Sequence, residues 1–258
     1  MNNSTLHFTP NVNSSALRFD DVIKSATGHI KQLTDARQKV LKEDLENGLG
    51  LFSNADQLKM YMASYGDIHR EKLLMAFEKL PRKIWVEDKI SIVDYGCGQC
   101  IAEMVLADYL RSQYIDIDYV SDITLIEPNR ISLKQGLEYI NGFYFDSNIK
   151  PIIANAAELS FDCLQPKMNT VLHIFSNVLD MPDFNHEHIS DIINQDMSHN
   201  HIIVCVSPFY QENGRGALMD KFGQLLKCFR CEYKFEKHTD EWNKNFSCQI
   251  RIFVSGYY

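Results

Sequence analysis

Short apolar runs alternate with helical stretches along residues 90–228, and this alternation limits the folds open to the chain. The five runs are each long enough for a strand buried on both faces, and they lie at Ile90–Val93, Ile123–Ile126, Pro151–Ala154, Thr170–Phe175 and His201–Val206. Helical stretches separate them, at Ile101–Tyr114, Ile131–Phe143, 187–197 and Ala217–Cys228. Strands that alternate with helices pair in parallel through right-handed crossovers. The sequence therefore predicts an α/β fold, a mostly parallel sheet with helices on both faces.

The two ends of the chain differ from this pattern. The runs Cys231–Phe235 and Ile250–Val254 have no long helix between them, which predicts an antiparallel hairpin at the edge of the sheet. Before the first strand, residues 17–51 have a weak helical pattern closed by Gly48 and Gly50. A stronger helix begins after the N-cap residues Ser53 and Asn54 and reaches Pro81. We predict a helical cap or lid over residues 1–84, frayed at its start, and a sheet domain over residues 85–258.

Composition excludes several classes of protein. Hydrophobic residues make up 45% and charged residues 23%, which is typical of a globular chain and not of a disordered one. The polar N-terminus lacks the apolar segment of a signal peptide, and no apolar run is long enough for a membrane span. With seven cysteines, an odd number, we expect a cytoplasmic protein with reduced thiols that does not bind a membrane.

The net charge of −8 gives no indication of nucleic-acid binding. The excess of acidic residues falls after residue 90. A local concentration of basic side chains between Lys59 and Lys83 leaves an anionic partner possible. The sequence does not indicate an oligomeric state.

The stretch Ile92–Cys100 is the most informative motif, because an apolar strand runs into a glycine turn that opens a helix. Such a turn brings bare backbone and a helix N-terminus against a ligand. A dinucleotide fingerprint would need a glycine at Ile101, and a P-loop would need a Gly-Lys-Ser/Thr ending, so neither motif fits. A purely structural turn with two glycines is the alternative.

The pattern of Asp94, Gly96 and Gly98 resembles the first motif, D-x-G-x-G-x-G, of class I S-adenosylmethionine-dependent methyltransferases. Cys100 stands where this family usually has its third glycine. The resemblance implies a Rossmann-like, seven-stranded sheet of order 3-2-1-4-5-7-6 and S-adenosylmethionine as cofactor. It also implies that the turn residues, Cys97 included, contact that cofactor.

The same resemblance assigns residues after the second and third strands. Glu127, followed by Pro128, would accept both ribose hydroxyls of the cofactor, and Asn129 would lie near the adenine edge. After the third strand, Asn155 would hydrogen-bond the base and Ala156 would pack on it. A surface acid before a proline turn, and a plain turn at 155–156, are the alternatives.

Residues after the fourth strand would face the acceptor, because ligands of open α/β sheets bind beyond the carboxyl ends of the strands. They are Ser176, Asn177 and Asp180. His173 is read as a strand residue with a satisfied ring and not as a base, and no catalytic residue is assigned. The stretch from His173 to Asp180 gives a weaker similarity to methyltransferases of the mitochondrial small-ribosomal-subunit type.

The helix before the sheet domain would close over the cofactor. By the same resemblance, Tyr65 or His69 would touch its methionine end and Arg70 would pair with its carboxylate. The alternative is an amphipathic helix that packs on the sheet.

Two further motifs match known functional patterns only in part. The segment 207–210 partly matches the motif of amino-group methyltransferases, but Phe209 takes the place of a proline and the segment follows the fifth strand instead of the fourth. The pairs Cys97-x-x-Cys100 and Cys228-x-x-Cys231 have zinc-site spacing. A metal at the first pair would obstruct the cofactor, so no metal is predicted.

The sequence thus predicts an S-adenosylmethionine-dependent methyltransferase whose acceptor, an RNA, a protein or a small molecule, is unknown. Two alternatives stay open. One is a catalytically silent methyltransferase-like module that acts by binding a partner. The other is an enzyme that uses the same cofactor without transferring a methyl group.

Overall fold

A computed structural model describes residues 17–46, 52–85, 88–181, 184–196, 198–208, 215–237 and 247–255. Its strands are β1 Ile90–Tyr95, β2 Val120–Ile126, β3 Asn148–Ile152, β4 Thr170–Ser176, β5 Asn200–Ser207, β6 Phe229–Lys237 and β7 Cys248–Ser255. Its helices are α1 Phe19–Ile30, α2 Asp35–Asp44, α3 Ala55–Phe77, α4 Ile101–Ser112, α5 Arg130–Ile140, α6 Phe161–Leu164, α7 His186–Gln195 and α8 Arg215–Leu225.

The strands form a seven-stranded sheet of order β3-β2-β1-β4-β5-β7-β6, as predicted. Strands β1 to β5 are parallel to their neighbours. Strand β7 is antiparallel to both β5 and β6, which confirms the predicted hairpin at the edge. The order reverses between β1 and β4, and a crevice opens at such a switch point beyond the strand ends.

The central strands explain the continuous apolar runs of the sequence. Every residue of β1 is buried, and so is nearly every residue of β2, β4, β5 and β7. Helices α1, α3, α4 and α5 cover one face around Ile92 and Leu125, and α7 and α8 cover the other around Val93 and Phe175. A strand alternates its side chains between the two faces, so both faces of a central strand need apolar residues.

Strand β3 departs from the prediction. It runs from Asn148 to Ile152 instead of Pro151–Ala154, and it is an edge strand with half-exposed and exposed residues. Pro151 suits this place because proline has no N–H to donate to a further strand. The expectation of burial on both faces is wrong here.

The N-terminal part forms three helices in place of one weak and one strong helix. Thr34 breaks the first stretch and caps α2 by accepting a hydrogen bond from the Arg37 N–H. Asn54 caps α3 as predicted, by accepting from the Gln57 N–H at 3.0 Å. The frayed start and the closing glycines 48 and 50 lie outside the described residues. None of the described helices combines the length and hydropathy of a membrane span.

Helices α1 and α3 pack on the sheet domain through the same hydrophobic core that covers one face of the sheet. Phe19 and Phe77 are fully buried and belong to one cluster with Ile92 and Leu125. The division into a cap over 1–84 and a sheet domain over 85–258 stays a prediction.

Polar side chains cross the other face of the sheet at His173. Its Nδ1 lies 3.1 Å from the Tyr95 hydroxyl, and its Nε2 lies 2.9 Å from Nδ1 of His201. His201 in turn reaches the Asp196 carbonyl at 2.9 Å. Both ring nitrogens of His173 therefore have partners inside the sheet, which accords with the interpretation of this histidine as structural.

We expect this buried histidine pair to make stability depend on pH. Burial lowers the pKa of both His173 and His201 below the usual 6.5, so the folded chain binds fewer protons than the unfolded one. The part of the free energy of unfolding that depends on these two histidines is therefore fully present above about pH 6.5. It decreases as the pH falls below that value. Urea titrations should show a loss of up to about 1 kcal/mol for each histidine between pH 6.5 and 5.5.

The double variant His173→Gln, His201→Gln should lose most of this dependence between pH 5.5 and 7.5. His188→Gln is the matched control, because the His188 ring bonds the Leu159 carbonyl outside the buried pair. Equal pH slopes in the wild type and the double variant would contradict the expectation.

Candidate functional site

The turn between β1 and α4 is held by main-chain hydrogen bonds to the next strand. The N–H groups of Gly96 and Cys97 both donate to the Ile126 carbonyl, at 2.8 and 3.0 Å. Gly96 has φ +71°, and a Cβ there would lie 2.5 Å from Val178. Gly98 has φ +55° with open space where its Cβ would be. The turn thus presents bare backbone on an open side.

Cys100 takes the place of the third glycine without disturbing the turn. It adopts a left-handed conformation with φ 59° and is fully buried. Room for its side chain comes from α5, where a Cβ on Gly136 would lie 2.5 Å from the Cys100 sulfur. The Cys100 side chain therefore fits in the turn because Gly136, which lies opposite, has no side chain.

Glu127 directly follows β2 and faces the glycine turn. Its Oε2 accepts from the Gly98 N–H at 3.0 Å, and its Oε1 accepts from the Asn129 N–H at 2.8 Å. Burial raises the pKa of this carboxyl, and the two N–H bonds oppose that rise. Each carboxylate oxygen has a second lone pair, so Glu127 can accept two more hydrogen bonds from a ligand.

A cavity opens at the carboxyl ends of β1, β2 and β4, at the switch point of the sheet. Eleven of the twelve cofactor-contact residues predicted from the sequence line it: Asp94, Gly96, Cys97, Gly98, Glu127, Pro128, Asn129, Asn155, Ala156, Ser176 and Asn177. The twelfth, Tyr65, does not line the cavity. It packs against the rings of Tyr61 and His69, and these two residues do line the cavity.

Besides the hydrogen bond from Lys72 to Asn177, three polar contacts join α3 and the residues before it to the strand ends. Gln99 donates to the Leu58 carbonyl at 3.1 Å, and Asn129 donates to the Phe52 carbonyl at 2.9 Å. The third contact joins Asn177 to His69. Phe52, Tyr61 and His69 thereby form one wall of the cavity. The sequence prediction did not assign Phe52 and Tyr61 to the site. Their aromatic side chains, one just before the helix and one within it, are a signal that could have indicated contact with a ligand.

Two predicted polar residues are already engaged with the protein. The Asn129 carboxamide oxygen accepts from the N–H groups of Ile131 and Ser132 and so caps α5. Asn155 is exposed at the rim of the cavity, where its N–H donates to Glu158. Their direct hydrogen bonds to adenine stay predictions.

The structure removes two residues from the predicted site. The Arg70 guanidinium pairs with Asp20 and Asp67 and does not line the cavity, so it is not placed to bind a cofactor carboxylate. Asp180 is buried and accepts from the Ser207 hydroxyl at 3.3 Å, and it does not line the cavity either. Both side chains have partners within the protein that the sequence alone does not reveal.

A chain of four side chains links helix α3 to the end of β4. Lys72 Nζ donates to Oδ1 of Asn177 at 2.8 Å, and Nδ2 of Asn177 lies 2.9 Å from Nδ1 of His69. Nε2 of His69 lies 2.8 Å from the Tyr61 hydroxyl. Asn177 also donates to the Ser176 hydroxyl at 3.0 Å. Asn177 itself has φ +60°, an uncommon conformation that favours Asn over most side chains.

This chain fixes the tautomer of His69. Lys72 can only donate, so Oδ1 of Asn177 must face it and the Asn177 amino group must face His69. Nδ1 of His69 therefore accepts, and the neutral ring carries its proton on Nε2, which donates to the Tyr61 oxygen. Burial and the Lys72 charge lower the pKa of His69 well below its usual value, which keeps the ring neutral.

The cysteine pairs do not come together. Cys97 and Cys100 are buried in the turn, whereas Cys228 and Cys231 are exposed near the edge of the sheet. Over the described ranges, no three His, Cys, Asp or Glu side chains are grouped as a metal site. The segment 207–210 does follow β5, and Phe209 and Tyr210 lie outside the described residues.

Comparisons with solved structures identify the fold, whereas comparisons of sequence find no match. No protein-family profile matches the sequence, and no curated protein has detectable sequence similarity to it. A solved S-adenosylmethionine-dependent methyltransferase from Clostridium acetobutylicum matches with TM-score 0.50 at 7% identity, over 78% of this chain and 98% of its own. Magnesium protoporphyrin IX methyltransferase from Synechocystis, with S-adenosylmethionine bound, matches with TM-score 0.46 at 12% identity, over 87% and 99%.

The chain has the fold of an S-adenosylmethionine-dependent methyltransferase. The match to the Clostridium enzyme and the strand order agree on this point. At such identities the match establishes the fold alone. The closer similarity to the mitochondrial type stays a prediction, since no sequence match supports it.

We expect the tautomer of His69 to depend on Lys72. Burial lowers the pKa of Lys72 to about 8, so its amine is charged at pH 7 and holds Asn177 in one orientation. In Lys72→Met the carboxamide is free to rotate, and the Nδ1–H tautomer of His69 should appear. Long-range 1H–15N correlation spectra of the imidazole report this directly.

Lys79→Met is the matched control, because Lys79 lies on the C-terminal side of α3 with its amine 5.6 Å from the centre of the Tyr233 ring. It should leave the His69 spectrum unchanged. An unaltered Nε2–H signal in Lys72→Met would show that Asn177 is oriented by something other than this lysine.

Proposed function

We propose that this protein transfers a methyl group from S-adenosylmethionine to an acceptor. The observation that supports this most is the contact between the Gly98 N–H and the Glu127 carboxylate, which puts bare backbone and a ribose-binding type of acid at one cavity. A purely structural turn would not need an open side at Gly98 or a carboxylate with acceptor capacity to spare.

The residues present fit an adenosyl nucleoside. Glu127 has an unused lone pair on each oxygen for the two ribose hydroxyls. The open backbone at Gly98 would lie against the sugar and the amino-acid part, while Asn155 and Ala156 would border the base. Cys97, Pro128 and Asn129 would shape the wall between them. Tyr65 would act only by supporting Tyr61 and His69.

The bound cofactor supplies a methyl group that is already activated by its sulfonium. What the chain adds is orientation and exclusion of water. Ser176 and Asn177 would face the acceptor from the end of β4, and Tyr61 and His69 from the lid. His69 has both nitrogens occupied, and burial raises the pKa of Tyr61. These two side chains therefore position the acceptor and hold their protons at neutral pH.

The acceptor stays open between RNA, protein and small molecule, but the charge on α3 no longer favours an anionic polymer. Of its basic residues, Lys72 is buried, Arg70 is paired with two aspartates and Lys59 lies 3.2 Å from His29. The basic residues of α3 are thus engaged with other residues of the protein, whereas Lys79 and Arg82, which follow the helix, are exposed. The seven cysteines are all free thiols, which suits the reducing cytoplasm that we propose as its location.

Isothermal titration with S-adenosylmethionine tests the proposal. The wild type should bind, and Glu127→Gln should bind roughly 10- to 100-fold more weakly, because hydrogen bonds to a charged carboxylate contribute about 1.5–3 kcal/mol each. Glu138→Gln is the matched control, since Glu138 contacts Gln135 on the surface of α5. A folded wild type that does not bind would refute the proposal.

Product analysis then separates methyl transfer from the other uses of this fold. Labelled S-adenosylmethionine should yield S-adenosylhomocysteine when cell-extract fractions of RNA, protein or small molecules are added in turn. An intact cofactor in every fraction would favour the silent module, and a product other than S-adenosylhomocysteine would favour different chemistry on the same cofactor.

A further inference from the structure

Two carboxyl groups are buried together beneath the glycine turn. Asp94, at the end of β1, is 1% exposed and lines the cavity, and Glu103, in the first turn of α4, is fully buried. Oδ1 of Asp94 and both carboxyl oxygens of Glu103 have no hydrogen-bond partner among the described groups while both acids are ionised, and the two carboxyls are close enough to share a proton in a hydrogen bond. Buried acids without donors are rare in folded proteins, so this pair calls for an explanation.

The groups around the pair do not neutralise it. The Cys97 thiol and the Glu127 carboxyl raise the pKa of Asp94 further, and both acids of the pair raise the pKa of the Cys100 thiol. Tyr144, which follows α5, donates its hydroxyl to the Glu103 carbonyl at 2.8 Å. From α3, the titratable groups that face the same cavity are Tyr61 and His69. Within the described part of the chain, no lysine or arginine is among the groups that shift either acid.

Two neighbouring buried carboxyls cannot both carry a charge at neutral pH. Burial, with the nearby Glu103 carboxyl as the next cause, raises the pKa of Asp94 well above its usual value. Burial also raises the pKa of Glu103 to about 7. The pair therefore holds at least one proton at pH 7, and a positive charge in the cavity would favour its release.

We propose that Asp94 and Glu103 form a proton-sharing pair that releases a proton to solvent when a cationic ligand occupies the cavity. Glu103 is then a specificity-determining residue that acts through Asp94, and it favours positively charged adenosyl nucleosides over neutral ones. This rests on the proposed function. S-adenosylmethionine carries a sulfonium and an ammonium, whereas S-adenosylhomocysteine lacks the sulfonium, so the pair discriminates the substrate from the product.

The release of a proton makes affinity depend on pH. Each proton released raises the association constant about tenfold per pH unit. The affinity for S-adenosylmethionine should therefore increase between pH 6 and 8, by up to about tenfold per pH unit. The affinity for 5′-methylthioadenosine, which is neutral, should stay constant, and that for S-adenosylhomocysteine should change less than that for the sulfonium.

Calorimetry at pH 7 in two buffers of different ionisation enthalpy counts the protons. The wild type should release up to one proton with S-adenosylmethionine, fewer with S-adenosylhomocysteine and none with 5′-methylthioadenosine. In Glu103→Gln the second acid is absent and the amide N–H can donate to Asp94, which favours the ionised carboxylate, so both the release and the pH dependence should decrease. Asp122→Asn is the matched control, because Asp122 is a buried acid of β2 that does not line the cavity.

Infrared difference spectra of the wild type give a second measurement that needs no folded variant. Addition of S-adenosylmethionine should remove the carbonyl band of a protonated carboxylic acid. If the wild type binds S-adenosylmethionine with equal enthalpies in both buffers and no loss of this band, the pair has no such role and the proposed function stands. If the folded wild type binds none of the three nucleosides, both the proposed function and this inference fall.

Discussion

The hydrogen bond from the Gly98 N–H to the Glu127 carboxylate joins two segments that lie 29 residues apart, and the site depends on it. It forms only because β1 and β2 are parallel neighbours in a fixed register, in which Tyr95 lies opposite Ile126. Both strands then end at the same level. The Ile126 carbonyl, left free there, accepts from two N–H groups of the turn. A slip of one residue would remove all three bonds and put the apolar residues of β2 on the wrong faces of the sheet.

Helix α3 links stability to the site. Its apolar side joins the core on one face of the sheet, while Tyr61, His69 and Lys72 meet the end of β4. A buried lysine is costly unless its charge is engaged, and here Lys72 donates to Asn177 while the nearby Asp180 and Cys248 also favour its charged form. At this position the lysine orients the carboxamide of Asn177 and, through it, the imidazole of His69. This is how a packing helix also becomes one wall of a binding cavity.

The electrostatic character of the cavity differs from that of the chain surface. Exposed acids and bases pair with one another, as in Lys221 with Glu187. Around the glycine turn, by contrast, Asp94, Glu103 and Glu127 are gathered in a buried volume without a basic partner among the described residues. Such an arrangement destabilises the folded chain unless protons or a cation compensate it, and strained or uncompensated groups concentrate at functional sites.

The sequence alone predicts the alternation of strands and helices, the glycine turn and the acid after β2, because apolar runs, glycines and acids at strand ends are local signals, whereas the strand order follows only from the family resemblance. It also located most of the cavity wall, since the carboxyl ends of parallel strands meet at one edge. Which charged side chains pair with other residues of the protein instead of a ligand depends on how the elements pack together. Arg70 and Asp180 have the same side chains whether they bind a ligand or a neighbour, and their partners are set by packing. The fit of Cys100 against Gly136, and the meeting of Glu103 with Asp94, likewise depend on how helices lie on the sheet.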